Sequence, residues 1–411
     1  MSKKLQSIRG IHDGLPDEVQ IWQHIETIAR RIFASYSTRE VRLPILESTE
    51  VFVRSIGTET DIVSKEMYRF EDRNGDDICL RPEGTAGAVR AYLQAGLSRS
   101  GTQRWFYMGP MFRRERPQKG RLRQFQQIGV EWFGVAGPIE DIEVLTMASS
   151  FLDELGIKTR LEINSLGCPD CRPDYRKKLT QELEKCQDEL CGTCQQRLST
   201  NPLRILDCKQ ASCQALLKDI PEMTEHLCGI CDAHFLTLQR GLKELGVPFL
   251  VNPRIVRGLD YYNRTAFEFI SEELGAQGTV LAGGRYDGLV SQQGGPATSA
   301  IGFASGLERL GMLLAGKVKS PQIDATVVAL GASTHIFSLQ IAHTLRQQGF
   351  HISHCGTGSS KALFKRAARE QARYTLVIGE DELARQIISL RGDDEKHAFT
   401  LSQLIEHMTA S

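Results

Sequence analysis

The sequence predicts an α+β fold, in which helices pack against a mostly antiparallel sheet and a separate small α/β domain follows. Strand-like segments in the first part of the chain do not alternate evenly with helices, as they would in a doubly wound parallel sheet. A Cys-rich, mostly helical segment divides them into two blocks, whereas strands and helices alternate after a polar linker at 317–321. We therefore expect one domain at 1–321 with an inserted helical subdomain at 165–245, and a second domain at 322–411.

Composition argues against several protein classes. The 411 residues are 41% hydrophobic and 24% charged, as in an ordinary soluble globular protein. Fifty basic residues balance fifty acidic ones, so the chain lacks the basic excess that is usual in proteins of DNA or membrane surfaces. No apolar stretch approaches the roughly 18 residues of a membrane-spanning helix, and the first residues lack the apolar core of a secretory signal. We expect a cytoplasmic protein without a DNA or membrane partner.

The first elements in chain order are a helix and four strands. A helix is predicted at 18–36, because isoleucines recur there at intervals of four, three and four residues. Short apolar segments bounded by polar turns predict strands at 41–46 and 78–80. Two further segments, 105–108 and 129–134, are expected to form the arms of a hairpin around a highly charged loop.

The later elements are helices and strands in both domains. A helix is predicted at 174–189, inside the Cys-rich segment, and alternation of apolar and polar residues predicts a strand at 265–270. A Gly-rich strand that begins at 301 is expected to run into a helix that carries Arg309. In the second domain we expect a strand at 325–330, helices at 336–348 and 361–371, and a strand at 375–379.

The loop at 113–123 has a high local charge. Its eleven residues include six basic side chains and one acidic one, a local charge of +5 in a neutral chain. Such a run is often only a solvated surface, but arginines held on a rigid hairpin can bind phosphates bidentately. The sequence contains no Walker A motif. Arginines would therefore have to hold the phosphates of any nucleotide.

Four further clusters place polar groups among apolar residues. They are Arg-Pro-Glu-Gly-Thr at 81–85, Gln127 with Glu131 in the second hairpin arm, Arg-Gly-Leu-Asp-Tyr-Tyr at 257–262, and Ala-Gly-Gly-Arg-Tyr-Asp-Gly at 282–288. Any one of them could be a structural ion pair or a capped tyrosine. Their joint occurrence, together with Arg309 further along, favours a functional site.

Along essentially its whole length, the sequence resembles the histidyl-tRNA synthetases, which are class II aminoacyl-tRNA synthetases. The segments that resemble the class motifs are 39–47 for motif 1, 112–131 for motif 2 and 302–309 for motif 3. The segments 257–262 and 282–288 resemble sequences specific to the histidine enzymes. Gln126 departs from the family, which more often has His or Tyr there. The resemblance implies a class II catalytic domain at 1–321, an anticodon-binding domain at 322–411 and a homodimer formed through motif 1.

The resemblance also implies an activity, the ATP-dependent ligation of L-histidine to tRNA(His) through a histidyl-adenylate, with Mg²⁺ as the metal cofactor. Attack of the histidine carboxylate on the α-phosphate builds negative charge, which fixed cations stabilise. By resemblance, the catalytic residues are Arg113, at the α-phosphate, and Arg257, as an extra cation. The expected ATP-binding residues are Arg113 at the α-phosphate, Glu115 and Phe125 at the adenine, and Arg309 at the outer phosphates. The expected histidine-binding residues are Glu83, Thr85, Arg113, Gln127, Glu131, Arg257, Tyr261 and Tyr262.

The same resemblance accounts for histidine selection and tRNA binding. Glu131 and Tyr262 suit the two ring nitrogens of a neutral imidazole, one a donor and the other an acceptor. A substrate without those groups leaves buried partners unpaired, which can discriminate by about 10⁴ without editing. The residues expected at the tRNA acceptor end are Arg116, Gln118 and Arg123. The anticodon would meet the second domain, whose helix at 361–373 is basic, so the neutral total charge conceals local patches for tRNA.

The chain has eleven cysteines, nine of them between Cys168 and Cys231. In a reducing compartment such cysteines are metal ligands, redox groups or buried thiols rather than a disulfide framework. Spacing predicts one four-cysteine set from the pairs Cys168/Cys171 and Cys191/Cys194, and a second from Cys208/Cys213 and Cys228/Cys231. Structural Zn²⁺ and buried thiols remain alternatives, and a catalytic or redox role is not expected.

Two other functions are compatible with parts of the sequence. Histidine-biosynthesis regulatory subunits share the class II fold but lack the phosphate-handling residues and the second domain. Here Arg113, Arg257, Arg309 and about 90 residues after the linker are all present. A zinc-containing nucleic-acid-binding module on an unrelated enzyme would explain the cysteines, but it leaves the arginine clusters outside them unexplained. Histidine–tRNA ligation is the function that the sequence favours.

Overall fold

An eight-stranded sheet forms the centre of the first of two units, Met1–Val318 and Lys319–Ser411, into which the chain divides. The computed structural model describes residues 4–57, 60–117, 120–256, 261–319, 321–391 and 396–410. The strands of the first unit are β1 (Arg39–Glu40), β2 (Leu46–Ser48), β3 (Tyr68–Glu71), β4 (Asp77–Leu80), β5 (Gln103–Phe112), β6 (Gln124–Phe133), β7 (Arg160–Ser165), β8 (Phe249–Val251), β9 (Asn263–Ile270), β10 (Thr279–Arg285) and β11 (Ala300–Gly306).

The large sheet has the order β1-β5-β6-β11-β10-β9-β7-β8, and β2, β4 and β3 form a second sheet. All five interior pairings of the large sheet are antiparallel, whereas β1 with β5 and β7 with β8 pair in parallel at the two edges. The predicted α+β class is confirmed. The prediction of an antiparallel sheet holds for its interior, and the two edge pairings are the exception.

Helices cover both faces of this sheet. The helices of the first unit are α1 (Pro16–Ser35), α2 (Thr49–Ile56), α3 (Thr85–Gln94), α4 (Pro138–Glu154), α5 (Arg172–Glu184), α6 (Gly192–Thr200), α7 (Ala211–Leu216), α8 (Gly229–Glu244), α9 (Leu289–Gln292) and α10 (Leu307–Leu314). The predicted helix at 18–36 is α1, which buries Ile25 and Ile28 in a core shared with α4, α8 and α10. A second core contains Phe52 of α2, Tyr92 of α3 and Leu289 of α9.

The predicted hairpin is confirmed as β5 and β6, which pair from Gln103 opposite Phe133 to Phe112 opposite Gln124. Side chains alternate along β6 between the two faces of the sheet. Ile128, Val130 and Trp132 point into the first core, so Gln127 and Glu131 lie on the opposite face. Residues 127–133 are all buried, because helices cover both faces. The hairpin therefore holds polar side chains inside the protein.

The prediction of a strand at 41–46 was wrong over most of its length. Strand β1 ends at Glu40 and β2 begins only at Leu46. Pro44 has no N–H to donate to a ladder, and the buried Arg81 takes up two carbonyls of this segment. Its Nη1 donates to Leu43 O at 2.7 Å and to Pro44 O at 3.3 Å. The guanidinium thus replaces strand pairing there.

The Cys-rich segment between β7 and β8 contains α5 to α8 and has a core of its own, in which cysteines pack with Tyr175, Leu179 and Ile205. The predicted helix at 174–189 is shorter than expected. Helix α5 ends at Glu184, and a 3₁₀ turn follows at Gln187–Glu189.

The second unit is a five-stranded sheet with four helices. Its strands are β12 (Ala325–Ala329), β13 (Ile352–His354), β14 (Tyr374–Ile378), β15 (Ile388–Arg391) and β16 (Lys396–Phe399), in the order β13-β12-β14-β15-β16. Its helices are α11 (His335–Gln347), α12 (Ser360–Glu370), α13 (Glu380–Arg385) and α14 (Leu401–Ala410). The strands and helices predicted here correspond to β12, α11, α12 and β14. Among the described helices of the whole chain, none combines the length and apolarity that a membrane crossing requires.

Candidate active site

An open cleft lies where the end of the β5–β6 hairpin meets β10, β11 and the start of α10. Its empty volume is about 720 Å³. Of the residues predicted for nucleotide binding, it is lined by Arg113, Glu115, Phe125 and Arg309. Gln127, predicted for histidine binding, also lines it. The charged loop and the Gly-rich strand that precedes Arg309 are therefore two walls of one cavity, although they are nearly 190 residues apart in sequence.

Arg113 and Arg309 are fixed in this cleft by backbone carbonyls. Arg113 Nε donates to Pro82 O at 2.8 Å, and its guanidinium carbon lies 5.3 Å from the ring centroid of Phe125. Arg309 Nη1 donates to Thr279 O at 2.6 Å, and burial lowers the pKa of this guanidinium. A guanidinium carries five N–H donors in a planar fork, a geometry that suits phosphate oxygens. The cleft thus presents two positioned cations and an aromatic face.

Two acidic side chains also line the cleft. Glu115 Oε2 accepts a hydrogen bond from Arg121 Nη1 at 3.2 Å, and Arg121, which was not predicted as a site residue, lines the cleft too. Glu308, at the start of α10, accepts a hydrogen bond from Gln126 N–H at 2.7 Å, and burial raises its pKa to about 7. Arg121 belongs to the charged loop at 113–123 and Glu308 to the segment that resembles motif 3, but neither residue was given an individual role from the sequence.

Behind the cleft, Glu131 is 1% exposed and is surrounded by hydroxyl groups. Its Oε1 accepts from Thr85 Oγ1 at 2.6 Å and from Tyr107 OH at 3.3 Å, and its Oε2 accepts from Tyr286 OH. Burial raises the pKa of Glu131 from an ordinary 4.5 to about 8, although the hydrogen bonds oppose this rise. Glu131 and Thr85, both predicted for histidine binding, are therefore in direct contact.

Tyr107 and Tyr286 were missed as site residues. Tyr107 faces Glu131 because it lies two residues along β5 from Trp105, which pairs with Glu131. Tyr286 belongs to the segment 282–288, whose sequence signal was noted without a role for the tyrosine. The close approach of Tyr107 needs glycine opposite it, because a Cβ at Gly129 would lie 2.1 Å from its ring. The period-2 pattern of β5 is the signal that could have identified Tyr107.

Glu83 caps helix α3. Its Oε2 accepts from Thr85 N–H at 2.6 Å and its Oε1 from Ala86 N–H at 2.9 Å, which satisfies two of the N–H groups left free at a helix start. Burial raises the pKa of Glu83, and the backbone hydrogen bonds oppose the rise. The carboxylate is fully enclosed and its position is fixed by the helix.

Two of the predicted histidine-binding residues have a buried polar atom without a hydrogen-bond partner within the described part of the chain. They are Gln127, at Oε1, four residues before Glu131 on the same face of β6, and Tyr261, at its hydroxyl. Buried polar groups in proteins are nearly always hydrogen-bonded. Tyr261 packs against Tyr262 with ring centroids 4.6 Å apart and against Tyr286 at 5.7 Å. Among the described residues, an acceptor on Gln127 and a hydroxyl on Tyr261 are thus left unsatisfied, as expected where a polar ligand binds.

Comparison with known proteins decides the family. The family model described as "Histidyl-tRNA synthetase" matches residues 10–310, and the one described as "Anticodon binding domain" matches residues 324–410. The crystal structure of an apo histidyl-tRNA synthetase from S. aureus is 32% identical in sequence, with a TM-score of 0.81, and the match covers 98% of this chain and 100% of that one. The chain belongs to the histidyl-tRNA synthetase family.

Other similar structures agree with this fold. A histidyl-tRNA synthetase from Nostoc sp. is 20% identical, covers 100% of both chains and has a TM-score of 0.73. A Bacillus halodurans protein described as an ATP phosphoribosyltransferase regulatory subunit/histidyl-tRNA synthetase is 19% identical, covers 92% of this chain and 99% of that one, and has a TM-score of 0.67. At these identities the likeness concerns the fold alone. The resemblance to histidyl-tRNA synthetases inferred from the motifs is confirmed.

The remaining residues predicted from the histidyl-tRNA synthetase motifs lie in different surroundings. Arg257 and Gln118 lie outside the described residues. Arg116 is exposed on the charged loop at 113–123, which belongs to motif 2 and is called the motif 2 loop below. Arg123 Nε donates to Glu115 O at 3.3 Å and its Nη1 donates to Arg9 O at 3.3 Å, so this side chain ties the loop to the N-terminal segment. Tyr262 is buried in the tyrosine cluster.

The cysteines of this synthetase form two groups of four, but not the groups that spacing predicted. Cys168 and Cys171 lie with Cys228 and Cys231, and the second group is Cys191, Cys194, Cys208 and Cys213. The first cysteine pair along the chain is therefore grouped with the last pair, and the second pair with the third. This arrangement arises because α8 returns to the end of β7, where α5 starts. Spacing along the chain could not foresee that return.

Proposed function

We propose that this chain is a histidine–tRNA ligase that joins L-histidine to tRNA(His) in two steps, through a histidyl-adenylate formed from ATP. Ligation of histidine to tRNA is the activity of the family to which the chain belongs. One observation supports the assignment most strongly. Gln127, which lines the arginine-bearing cleft, lies on the same face of β6 as the buried Glu131, and Gln127 Oε1 and Tyr261 OH have no hydrogen-bond partner among the described residues. A nucleotide and a small polar molecule can therefore bind end to end.

In the proposed first step, the histidine carboxylate attacks the α-phosphate of ATP. Arg113 stabilises the charge that develops on this phosphate, Arg309 holds the outer phosphates, and Arg257 supplies a further cation. The adenine stacks on Phe125, whose other contact is the Arg113 guanidinium, and Glu115 accepts from its amino group. Glu308 also lines the cleft, and a carboxylate oxygen there would suit Mg²⁺. When bound, Mg²⁺ neutralises phosphate charge.

Histidine recognition follows from hydrogen-bond capacity. In its ionised form, the Glu131 carboxylate offers about four lone-pair sites, and three of them accept hydrogen bonds from the hydroxyl groups of Thr85, Tyr107 and Tyr286. About one acceptor site is left for an imidazole N–H. The other ring nitrogen can accept from a tyrosine hydroxyl, Tyr261 or Tyr262. Glu83 and Thr85 lie at the start of α3, where their oxygens can meet the α-amino group of the substrate.

In the proposed second step, the acyl group passes to the terminal ribose of tRNA(His). Arg116, Gln118 and Arg123 on the motif 2 loop contact the acceptor end, and the domain at 322–411 binds the anticodon. We further propose that the enzyme acts in the cytoplasm as a homodimer. Strand β1 is an edge of the large sheet, and Ile45 and Leu46 of motif 1 are 43% and 50% exposed. Apolar exposure beside a sheet edge is typical of an interface.

In this proposal, the catalytic domain at 1–321 carries out the reaction, and its inserted subdomain at 165–245 has a structural role. The cysteines of the subdomain do not line the cleft, and we assign the chemistry to ATP, Mg²⁺ and the arginines. Any Zn²⁺ held by the cysteines is then structural.

Histidine-dependent exchange of pyrophosphate into ATP, followed by charging of tRNA(His), tests the proposal. Arg257→Ala should reduce exchange by at least about 10²-fold, the usual loss of one positioned charge, while its Tm stays that of the wild type. Arg254→Ala, three residues away and outside the cleft, serves as the matched control and should retain exchange. Wild-type exchange in Arg257→Ala would disprove the role of Arg257. A wild-type protein that binds histidine but never exchanges pyrophosphate would instead be a regulatory subunit.

A further inference from the structure

The two groups of cysteine sulphurs have the dimensions of tetrahedral metal sites. Within each group the four sulphurs all lie within 4.8 Å of one another. Cys168 Sγ is 3.7 Å from Cys171 Sγ and 3.8 Å from Cys228 Sγ, and Cys191 Sγ is 3.9 Å from Cys208 Sγ. A tetrahedron with zinc–sulphur bonds of about 2.3 Å has edges of about 3.8 Å. A disulfide would need about 2.05 Å.

The backbone around the sulphurs also suits thiolates. Cys168 N–H donates to Cys171 Sγ at 3.2 Å, and Cys191 N–H donates to Cys213 Sγ at 3.2 Å. Such N–H groups stabilise negative charge on sulphur, which a neutral buried thiol does not require. Cysteines that only filled a core would have no reason to gather four sulphurs at one point, and to do so twice. Soft thiolate ligands in a tetrahedral S₄ set are typical of zinc.

We propose that the segment binds two Zn²⁺ ions per chain, one at site A (Cys168, Cys171, Cys228 and Cys231) and one at site B (Cys191, Cys194, Cys208 and Cys213), and that site A holds the histidine pocket in place. Each ion replaces the protons of four thiols, which pass to solvent. Since all four positions are taken by protein sulphur, both sites are structural. The coupling to the pocket rests on the proposed histidine-binding role of Tyr261 and Tyr262.

Site A is joined to the pocket through Arg172, the residue directly after Cys171. Arg172 Nε donates to Leu166 O at 3.1 Å, and Arg172 Nη2 donates to Tyr262 O at 2.6 Å. The chain just before Cys168 pairs with the same region, because Arg264 N–H donates to Gly167 O at 2.7 Å. Gly167 has a φ of +65° and a Cβ there would lie 2.8 Å from Cys171 Sγ. Arg172 is thus a positioning residue for the Tyr261–Tyr262 backbone.

Site B has a different neighbourhood. It joins the start of α6 to the turn before α7 and to α7 itself. Cys191 N–H donates a hydrogen bond to Cys213 Sγ across the group. A metal there links two short helices of the segment. We therefore expect site A to affect both histidine binding and stability, and site B to affect stability alone.

The test uses a matched pair of substitutions in the full-length enzyme, Cys228→Ser and Cys191→Ser. Both cysteines are the N-cap residue of a helix, α8 and α6 respectively, and both are partly exposed. Serine is a favourable N-cap, so each change removes a thiolate without removing the helix start. Cys186→Ser is the control, because Cys186 belongs to neither group.

Zinc content of protein purified without chelator is measured by elemental analysis. We expect two zinc ions per chain in the wild type and in Cys186→Ser, and one in each of the other variants. Fewer than one zinc per wild-type chain, or two in both N-cap variants, would overturn the metal sites. If a variant does not fold, the zinc K-edge absorption spectrum of the wild-type protein tests the metal sites instead. We expect the ligand shell of zinc to contain only sulphur, at about 2.3 Å. A nitrogen or oxygen shell contradicts the proposal.

Steady-state exchange kinetics test the coupling. Cys228→Ser and Arg172→Ala should raise KM for histidine by about tenfold, with a smaller change in kcat, whereas Cys191→Ser should lower Tm and change KM by less than about twofold. Equal KM effects at the two sites would overturn the coupling. Wild-type protein that contains two zinc ions but does not exchange pyrophosphate would contradict the proposed function and not the metal sites. Wild-type protein that exchanges pyrophosphate without zinc would contradict the metal sites and not the proposed function.

Discussion

At the scale of single residues, Glu131 shows how the fold prepares a polar pocket. The carboxyl group lies in a sheet covered on both faces, and Gly302 on the neighbouring strand leaves room for it, since a Cβ there would lie 2.1 Å from Glu131 Oε2. Among the described residues, the groups bonded to it are hydroxyls and include no cation. Burial therefore outweighs the hydrogen bonds and its pKa rises to about 8. A pocket that holds a partly protonated carboxyl can adapt to either form of an imidazole.

This raised pKa predicts a pH dependence of stability. Between pH 4.5 and about 8 the folded protein keeps a proton on Glu131 that the unfolded chain has lost, so the free energy of unfolding falls as pH rises through this range. Glu131→Gln removes that titration. In the absence of substrates, the free energy of unfolding of the variant minus that of the wild type should increase with pH, by at most about 1.4 kcal/mol per pH unit.

Thermal unfolding of both proteins at several pH values measures the difference. Glu184→Gln is the control, because that side chain is exposed and is solvated in both states, and its Tm difference from wild type should not change with pH. A pH-independent Tm difference between Glu131→Gln and wild type would show that Glu131 is ionised throughout.

At the scale of elements, one buried carboxylate joins four of them. Asp141 of α4 accepts from Arg285 of β10, from His234 of α8 at 2.7 Å and from Thr265 of β9 at 2.5 Å. Asp141 and Arg285 are both 0% exposed. Burial opposes ionisation of Asp141, but the hydrogen bond from His234 and the charge of Arg285 outweigh it and hold its pKa below the ordinary value. The arginine of the 282–288 segment is thus a structural residue beside the pocket.

Breaking this network should be costly. Asp141→Asn removes one buried counterion of Arg285 and leaves Asp287, which accepts from Arg285 Nη1 at 2.9 Å, as its remaining carboxylate partner. We expect a loss of about 3 kcal/mol in the free energy of unfolding, the lower end for a broken buried ion pair. Urea unfolding measures it, with Asp153→Asn, an exposed position on the same helix, as the control. The double variant Asp141→Asn/Arg285→Met should recover part of the loss, since it removes the buried guanidinium that has lost its Asp141 partner. A double variant no more stable than Asp141→Asn would mean that packing, and not charge, is responsible.

The same scale shows what a sequence can and cannot predict here. Periodicity predicted α1, the β5–β6 hairpin, β9 and the passage from β11 to α10, because each segment carries its own apolar pattern. It failed at 41–46, where Arg81 competes for the carbonyls, and it missed the short strands β13, β15 and β16, whose positions depend on their partners. Motif resemblance named Glu131 and Arg309, which lie in a buried hydroxyl cluster and in the cleft respectively, whereas Tyr107 and the grouping of the cysteines depend on contacts between distant segments.

At the scale of the whole molecule, charge is distributed unevenly although it sums to zero. The motif 2 loop exposes Arg114 and Arg116, and helix α12 exposes Lys361, Lys365 and Arg369. Arg366 of the same helix is committed to structure, because its Nη1 donates to Cys355 O at 2.6 Å and to Thr357 O at 3.0 Å. A protein without overall basic excess has little long-range attraction for tRNA. Its tRNA affinity should therefore depend on these local groups.

This charge distribution predicts that salt inhibits the tRNA-dependent second step of the reaction and has little effect on the first step. Counterions released from tRNA make binding weaken with salt in proportion to the phosphate contacts formed, whereas pyrophosphate exchange uses no tRNA. Raising KCl should increase KM for tRNA(His) steeply and leave exchange nearly unchanged. Replacing Lys361, Lys365 and Arg369 together by alanine should raise KM for tRNA and reduce the slope of log KM against log salt by about 2. The triple variant Lys218→Ala/Arg240→Ala/Lys243→Ala removes as much exposed charge elsewhere and should leave that slope unchanged. Equal slopes in both triple variants would place the anticodon on another surface of the second domain.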